Sequence, residues 1–308
     1  MNIDRKLREM EPKDTPLLVF GYILLGMMML LSIDAKADDN EVLIEQVGND
    51  VIIEADQQGY DNIINIDLGI VKSNSPNNIF RALQDGHDND IIFSVDGDGN
   101  EVAITQEGNN NYIGLSSYWG AGHDHGGDID GDNNVLNVRQ KCSYTSCNEN
   151  TFEFHIEGNS NDVMFGQGYF LDNPNDTSWA FDNNEPGGNF IRLDIHGDNN
   201  DFKGAQKMDS SSINHNMYVN IFGDDNNVFA NQWQNGNKTL NLNIYNDDND
   251  IDIRQKKNQA HTATISLYGS YGTNLSLTQS STTAAQTYTL SQTCVTVGGC
   301  SISVTQGN

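Results

Sequence analysis

Short runs of alternating apolar and polar residues, separated by acidic Gly/Asn turns, recur along most of this chain. The stretch Val95-Asp96-Gly97-Asp98-Gly99-Asn100-Glu101-Val102-Ala103-Ile104-Thr105-Gln106 carries the whole unit. Gly97 to Asn100 make the turn, and Val102, Ile104 and Gln106 follow at alternate positions. The positions two and four before a turn are apolar as well, as at Phe93/Val95, Phe154/Ile156, Leu193/Ile195, Val219/Ile221, Leu242/Ile244 and Ile265/Leu267. After it stand Leu136/Val138, Val163/Phe165 and Ile251/Ile253. A period of two predicts strands with one buried and one solvated face. Gly and Asn supply turn conformations that other residues resist. No competing helical period occurs after the first 37 residues, so the expected fold is all-β.

The turns repeat. Gly is followed three residues later by Asn in Gly59/Asn62, Gly86/Asn89, Gly97/Asn100, Gly108/Asn111, Gly131/Asn134, Gly158/Asn161, Gly197/Asn200 and Gly223/Asn226. Gly86, Gly97 and Gly108 are 11 residues apart, which makes a coil of two strands and two turns 22 residues long. We expect a β-solenoid (β-helix) of about nine such coils. Gln stands six residues after the turn Asn at Gln106, Gln140, Gln167, Gln206 and Gln232, and again at Gln255. Coils stacked about 4.8 Å apart would bring these Gln into one column, with amides bonded neighbour to neighbour. The segments after the Gln positions vary in length (108–127, 142–150, 168–189, 207–216), which predicts insertions along one edge.

Composition changes the picture in two ways. The chain has 308 residues, 36% of them hydrophobic, and a formal net charge of -27. That balance alone would suggest disorder, but the fixed offsets of the apolar residues argue for an ordered core. Such an acidic surface attracts cations and repels nucleic acid, so no nucleic-acid partner is expected. At the N-terminus an apolar run over 16–33 follows Arg5, Lys6, Arg8 and Lys13 and precedes Ala35-Lys36-Ala37. This reads as a signal peptide over 1–37, cut after Ala37, with the repeat domain over 38–308. The alternative is an uncleaved membrane anchor. From about residue 263 the repeats turn rich in Ser and Thr.

Candidate chemistry is sparse. Cys142/Cys147 and Cys294/Cys300 are close pairs in a chain expected to be exported, and each is predicted to form a local disulfide across a turn. Asp98, Asp132, Asp198, Asp224 and Asp247 each follow a Gly or Asn turn position, so stacking would align them. Such a column would repel itself, and Ca²⁺ or protons could relieve that; a solubilising charged edge is the plainer reading. His123 and His125 form a His-x-His loop that could hold a transition metal, although a polar Gly-rich surface loop is the commoner explanation. No arrangement meets the requirements of a catalytic site, so no enzyme is expected and no cofactor is required.

These offsets resemble a known family. Gln57-x-Gly59-x-x-Asn62-x-Ile64, Gln84-x-Gly86-x-x-Asn89-x-Ile91 and Gln106-x-Gly108-x-x-Asn111-x-Ile113 are similar to the curlin repeat, as is the closing Gln at Asn134…Gln140. In many units the family's first Gln is replaced by an apolar residue: Val95, Ile129, Ile156, Ile195, Ile221 and Ile244. The resemblance implies a structural subunit of extracellular amyloid fibres in the biofilm matrix of a Gram-negative bacterium, polymerising with itself by stacking coil on coil. It also implies export and nucleation by a dedicated outer-membrane machinery, and a role in adhesion. The alternatives are a monomeric acidic solenoid that binds a cation or surface ligand, and an accessory nucleator of such fibres.

Overall fold

The computed structural model describes residues 34–35, 39–46, 51–68, 78–114, 127–141, 150–170, 180–181, 187–209 and 214–307. These form a β-solenoid with no helix among them: two parallel sheets whose strands alternate along the chain. In the first sheet β1 (Asp34–Ala35), β3 (Ile52–Tyr60), β5 (Ile79–His87), β7 (Glu101–Glu107), β10 (Val135–Lys141) and β12 (Asp162–Gln167) lie in that order. It continues through β16 (Asp201–Lys207), β18 (Asn227–Trp233), β20 (Asp250–Lys256), β22 (Thr273–Ser280) and β24 (Cys300–Gly307). The second sheet begins with β2 (Glu41–Gln46), β4 (Ile63–Leu68) and β6 (Asp90–Asp96), followed by a rung made of β8 (Asn111–Gly114) and β9 (Gly127–Asp130). Then come β11 (Asn150–Glu157), β15 (Phe190–His196), β17 (His215–Phe222), β19 (Lys238–Ile244), β21 (His261–Gly269) and β23 (Gln286–Cys294). Nine complete coils thus run from β3/β4 to β22/β23, with β1/β2 before them and β24 after.

The alternation in sequence becomes the wall of the solenoid. In β6 and β7 the buried residues are Ile91, Phe93, Val95, Val102, Ile104 and Gln106, while their neighbours face outward. The apolar ones join a single core that continues from Ile64 to Leu277. Each Ile, Leu, Val or Phe buried there contributes about 1.5–3 kcal/mol relative to exposure. Phe93, Phe152, Phe154, Phe165 and Phe202 form a tilted and stacked run through the middle. The rings fit because Gly127 and Gly204 sit beside them; a Cβ on Gly127 would lie 2.2 Å from the Phe154 ring.

The turns stack as tightly as the strands. The first turn residue has positive φ (Gly97 134°, Gly131 145°, Gly158 130°, Gly197 144°), and the third is left-handed (Asn133 58°, Ser160 58°, Asn199 57°). Backbone hydrogen bonds then link turn to turn, as in Gly158 N–H to Asp130 O at 2.9 Å. The Cys294–Cys300 disulfide closes the last turn, with Cα atoms 5.8 Å apart. Cys294 takes the column position of Gly269, and Cys300 that of Thr273.

Insertions do not all leave from one edge. The 115–126 segment interrupts a rung. Its stubs β8 and β9 both pair with β6 on one side and with β11 on the other. The segment therefore departs from the face of the second sheet. Its neighbours hold both stubs in register, which a turn-edge insertion would not require. Residues 69–77 connect β4 to β5, from the second sheet to the first, whereas 142–149 connect β10 to β11, from the first sheet to the second. In the 168–189 stretch β13 (Tyr169–Phe170) and β14 (Ala180–Phe181) form a small antiparallel pair. Residues 1–33 and 36–38, which hold most of the expected signal peptide, lie outside the described residues, as do Cys142, Cys147, His123 and His125.

Rung contact at the turns leaves no room for a side chain. A Cβ on Gly158 would lie 2.0 Å from the carbonyl oxygen of Gly197, at a φ that L-residues resist. Gly158→Ala should therefore destabilise the protein by roughly 2 kcal/mol, measured as a lower midpoint in urea unfolding. An unchanged midpoint would contradict this packing.

Candidate functional site: buried amide ladders and the solenoid ends

A polar residue inside a core costs free energy unless its hydrogen bonds are met. Here one column of the core is Gln throughout: Gln57, Gln84, Gln106, Gln140, Gln167, Gln206, Gln232, Gln255, Gln279 and Gln306. Each Nε2 but that of Gln306 donates to the Oε1 of the next Gln, at distances from 2.7 to 3.2 Å. The same Nε2 groups also reach backbone carbonyls across the core, as Gln84 does to Asn89 O at 2.8 Å and Gln206 to Phe190 O at 2.9 Å. The ladder therefore ties the two sheets together as well as coil to coil.

Asn makes a ladder on each edge. On one, Asn78, Asn100, Asn134, Asn161, Asn200, Asn226 and Asn249 are linked by backbone N–H to Oδ1 bonds of 2.8–3.1 Å. On the other, Asn40, Asn62, Asn89, Asn111, Asn150 and Asn189 are linked in the same direction, by backbone N–H to Oδ1 bonds except at Asn150, whose side-chain Nδ2 donates to Asn111 Oδ1. Their Nδ2 groups also hold turn carbonyls, as in Asn161 to Gly197 O at 2.9 Å. Asn at the end of each turn thus satisfies backbone that the turn leaves open.

After Asn189 the second ladder changes chemistry. The next three positions in register are His215, Lys238 and His261, all fully buried. The Lys238 Nζ lies among the carbonyl oxygens of Gln234, Asn235, Gly236 and Lys257, the nearest at 2.7 Å. Burial pushes this amine down to about 7. Burial, reinforced by the neighbouring Lys238 charge, pushes His215 down to about 3. Its Nε2 sits 3.2 Å from Lys207 O, so a neutral ring serves there as a donor. The sequence held a weak signal for this column: Lys238 and His261 are separated by the same 23 residues as Gln232 and Gln255.

The turn acids form an outer column. Asp132, Asp198, Asp224 and Asp247 each accept a backbone N–H from the adjacent coil through Oδ1, at 2.7–2.9 Å. Asn159 interrupts the run between Asp132 and Asp198. The carboxylates thus lie along the axis as caps for stacked turns, and each bond to an N–H offsets part of the repulsion.

At the solenoid ends the column runs out of partners. Gln57 Oε1 is buried and has no hydrogen bond. At the far end Gln306 Nε2 bonds only Thr287 O, at 3.1 Å. The core is half uncovered there too: Val42, Ile44, Ile53 and Ala55 at one end and Tyr288, Leu290, Ile302 and Val304 at the other remain partly exposed. No family model, curated protein or solved structure matches this chain.

Two outcomes follow from the ladders. Gln167→Leu leaves Gln206 Oε1 without its donor and removes one hydrogen bond each from the carbonyls of Thr151 and Asn189, and should cost roughly 3 kcal/mol in urea unfolding. His215 acts through pH. The unfolded chain takes up this proton below about pH 6.5 and the folded chain only near pH 3, so its stabilising contribution is complete above 6.5 and is lost as pH falls. His215→Asn, which restores the edge ladder, should flatten the acid arm of the stability profile between those values. An unchanged arm would rule out His215 as its source.

Proposed function

We propose that this chain is a curlin-like structural subunit that is exported and polymerises head to tail into extracellular fibres. The observation that carries this reading is the match between the two ends. The Gln column runs in one direction, so its first member lacks a donor and its last keeps an amide proton to give. Setting Gln306 over Gln57 also sets Val304 over Ala55 and Ile302 over Ile53. The second sheet joins in the same frame. There the column Leu68, Val95, Ile129, Ile156, Ile195, Ile221, Ile244 and Leu267 is apolar, yet it begins at Gln46 and ends at Gln292. A junction would therefore place Gln against Gln in both sheets, and the curlin-type pairing absent from most of the chain would return at the interface between copies.

Open strand edges template further strands, and in-register amide ladders stabilise the stack. Cleavage after Ala37 removes β1, which pairs with Asp56 and Gln57, and so bares the growing edge. The acidic turns keep the sides of such a fibre apart. On this reading the partners are other copies of the chain and an outer-membrane export and nucleation machinery. The location is the cell surface and matrix of a Gram-negative bacterium, and the role is cohesion and adhesion.

Electron microscopy, thioflavin-T fluorescence and fibre diffraction on residues 38–308 test this directly. The expected result is unbranched fibres with a reflection at about 4.7–4.8 Å. Ile302→Lys/Val304→Lys places charge on the last core rung and should stop elongation while leaving the circular dichroism of the monomer intact. A persistently monomeric protein without a dye response would favour the monomeric binding module and sink the fibre reading.

A further inference from the structure

Apart from the ladders and the ends, one group of ligand-type side chains converges among the described residues: His155, Asp194 and His196. Register explains how. On the outer face of the second sheet His155 lies opposite Asp194, and Glu157 opposite His196, so the four residues form a square across β11 and β15. His155 Nδ1 is 3.1 Å from Asp194 Oδ1, and His196 Nε2 is 2.9 Å from that same oxygen. The other nitrogen of His196, Nδ1, is 2.7 Å from Glu157 Oε2.

This geometry poses a question of charge. His196 faces a carboxylate through each ring nitrogen, and a neutral imidazole has only one N–H to give. If Nδ1–H is donated to Glu157, the Nε2 lone pair points at Asp194. Two lone pairs 2.9 Å apart repel unless something positive lies between them. His155 brings a further ring nitrogen to that oxygen. A buried carboxylate also calls for a counter-charge, and the Asp194 side chain is only 4% exposed. The guanidinium of Arg192, two residues earlier on β15, is paired with Glu153 at 2.5 Å.

We propose that His155 Nδ1, Asp194 Oδ1 and His196 Nε2 bind a divalent first-row transition cation, with Glu157 as the outer carboxylate that sets the His196 tautomer. Two imidazoles and one carboxylate suit Zn²⁺, Ni²⁺ or Cu²⁺ rather than Ca²⁺ or Mg²⁺. Bonds of about 2.0–2.1 Å around a tetrahedral ion separate its ligand atoms by roughly 3.3 Å; the two separations to Asp194 are 2.9 and 3.1 Å, and all three ligand atoms lie within 4.8 Å of one another, so the two imidazoles close on the ion as it binds. A His whose second nitrogen donates to a carboxylate is the usual arrangement around bound metal. The Phe222 ring stacks on His196 at 4.8 Å between centroids and 9° between planes, which holds the imidazole in place. Water completes the coordination from the open side, where His196 is 30% exposed.

The titratable and charged groups around the site are Asp128 and Asp130 on β9, Glu157, Asp194 and the two imidazoles, with the Arg192–Glu153 pair alongside. The acids outnumber the free cations and draw in metal and protons alike. Imidazole binds metal only through a nitrogen free of its proton, so protons displace the metal as pH falls.

The test is Zn²⁺ titration of chelator-stripped protein by calorimetry, with metal content per chain read by mass spectrometry. One equivalent should bind at pH 7.5, and affinity should fall at least tenfold at pH 5. Asp194→Asn and His196→Gln should each weaken binding at least tenfold, whereas His123→Gln/His125→Gln should leave it unchanged. If Asp194→Asn fails to fold, the more exposed His196→Gln decides. The proposal is overturned if no equivalent binds at pH 7.5, or if His196→Gln binds as tightly as the original chain. Monomer and fibre serve equally, so the result does not depend on polymerisation.

Discussion

Everything in this solenoid depends on one constraint: a buried primary amide must find a donor and an acceptor in a place that water does not reach. Gln meets it here only when another Gln lies one coil above and one below. A slip of one residue would turn the amides outward and the aliphatic residues with them. The ladder thus fixes the register of the first sheet, and its contacts with carbonyls of the opposite strands carry that register across the core. Glycine in the turns follows from the same requirement, because the turns must approach as closely as the strands do.

The electrostatics are layered. Acids occupy the turns, where solvent and backbone N–H groups receive them. Three fully buried basic side chains stand on the opposite edge, where successive coils replace Asn by His215, Lys238 and His261. Both arrangements perform the same task. Asn brings an amide to the turn carbonyls, and Lys238 brings an ammonium to four of them. The substitution keeps donors on the backbone carbonyls of this edge, leaves the Nδ1 atoms of His215 and His261 buried without partners, and changes how the edge answers to pH.

Much of this was legible in the sequence because the repeat offsets are short and local. Gly97, Asn100, Val102, Ile104 and Gln106 announce turn, core and column within ten residues, and the same spacing recurs elsewhere. What the sequence concealed lies across insertions of unequal length. His155 and Asp194 face each other although 39 residues separate them, because the 171–186 region intervenes between adjacent rungs. His215 hides at an Asn position for a similar reason. The offset from its Gln is altered by the segment before it, so that only register reveals the column. The split rung was concealed differently: a strand cut in two presents two fragments too short to carry a period.

That split rung has a wider consequence. At β8 and β9 two short stubs keep their places because intact strands above and below hold them, although twelve residues separate the stubs. Within such a lattice the chain need not be locally continuous to be locally ordered; its neighbours supply the template that connectivity normally provides. Passenger sequence can then be added at the face of the sheet at little cost to the folding of the rest. The interior of the scaffold sets where the new segment is displayed, and the number of coils sets how many rungs are open to such grafting.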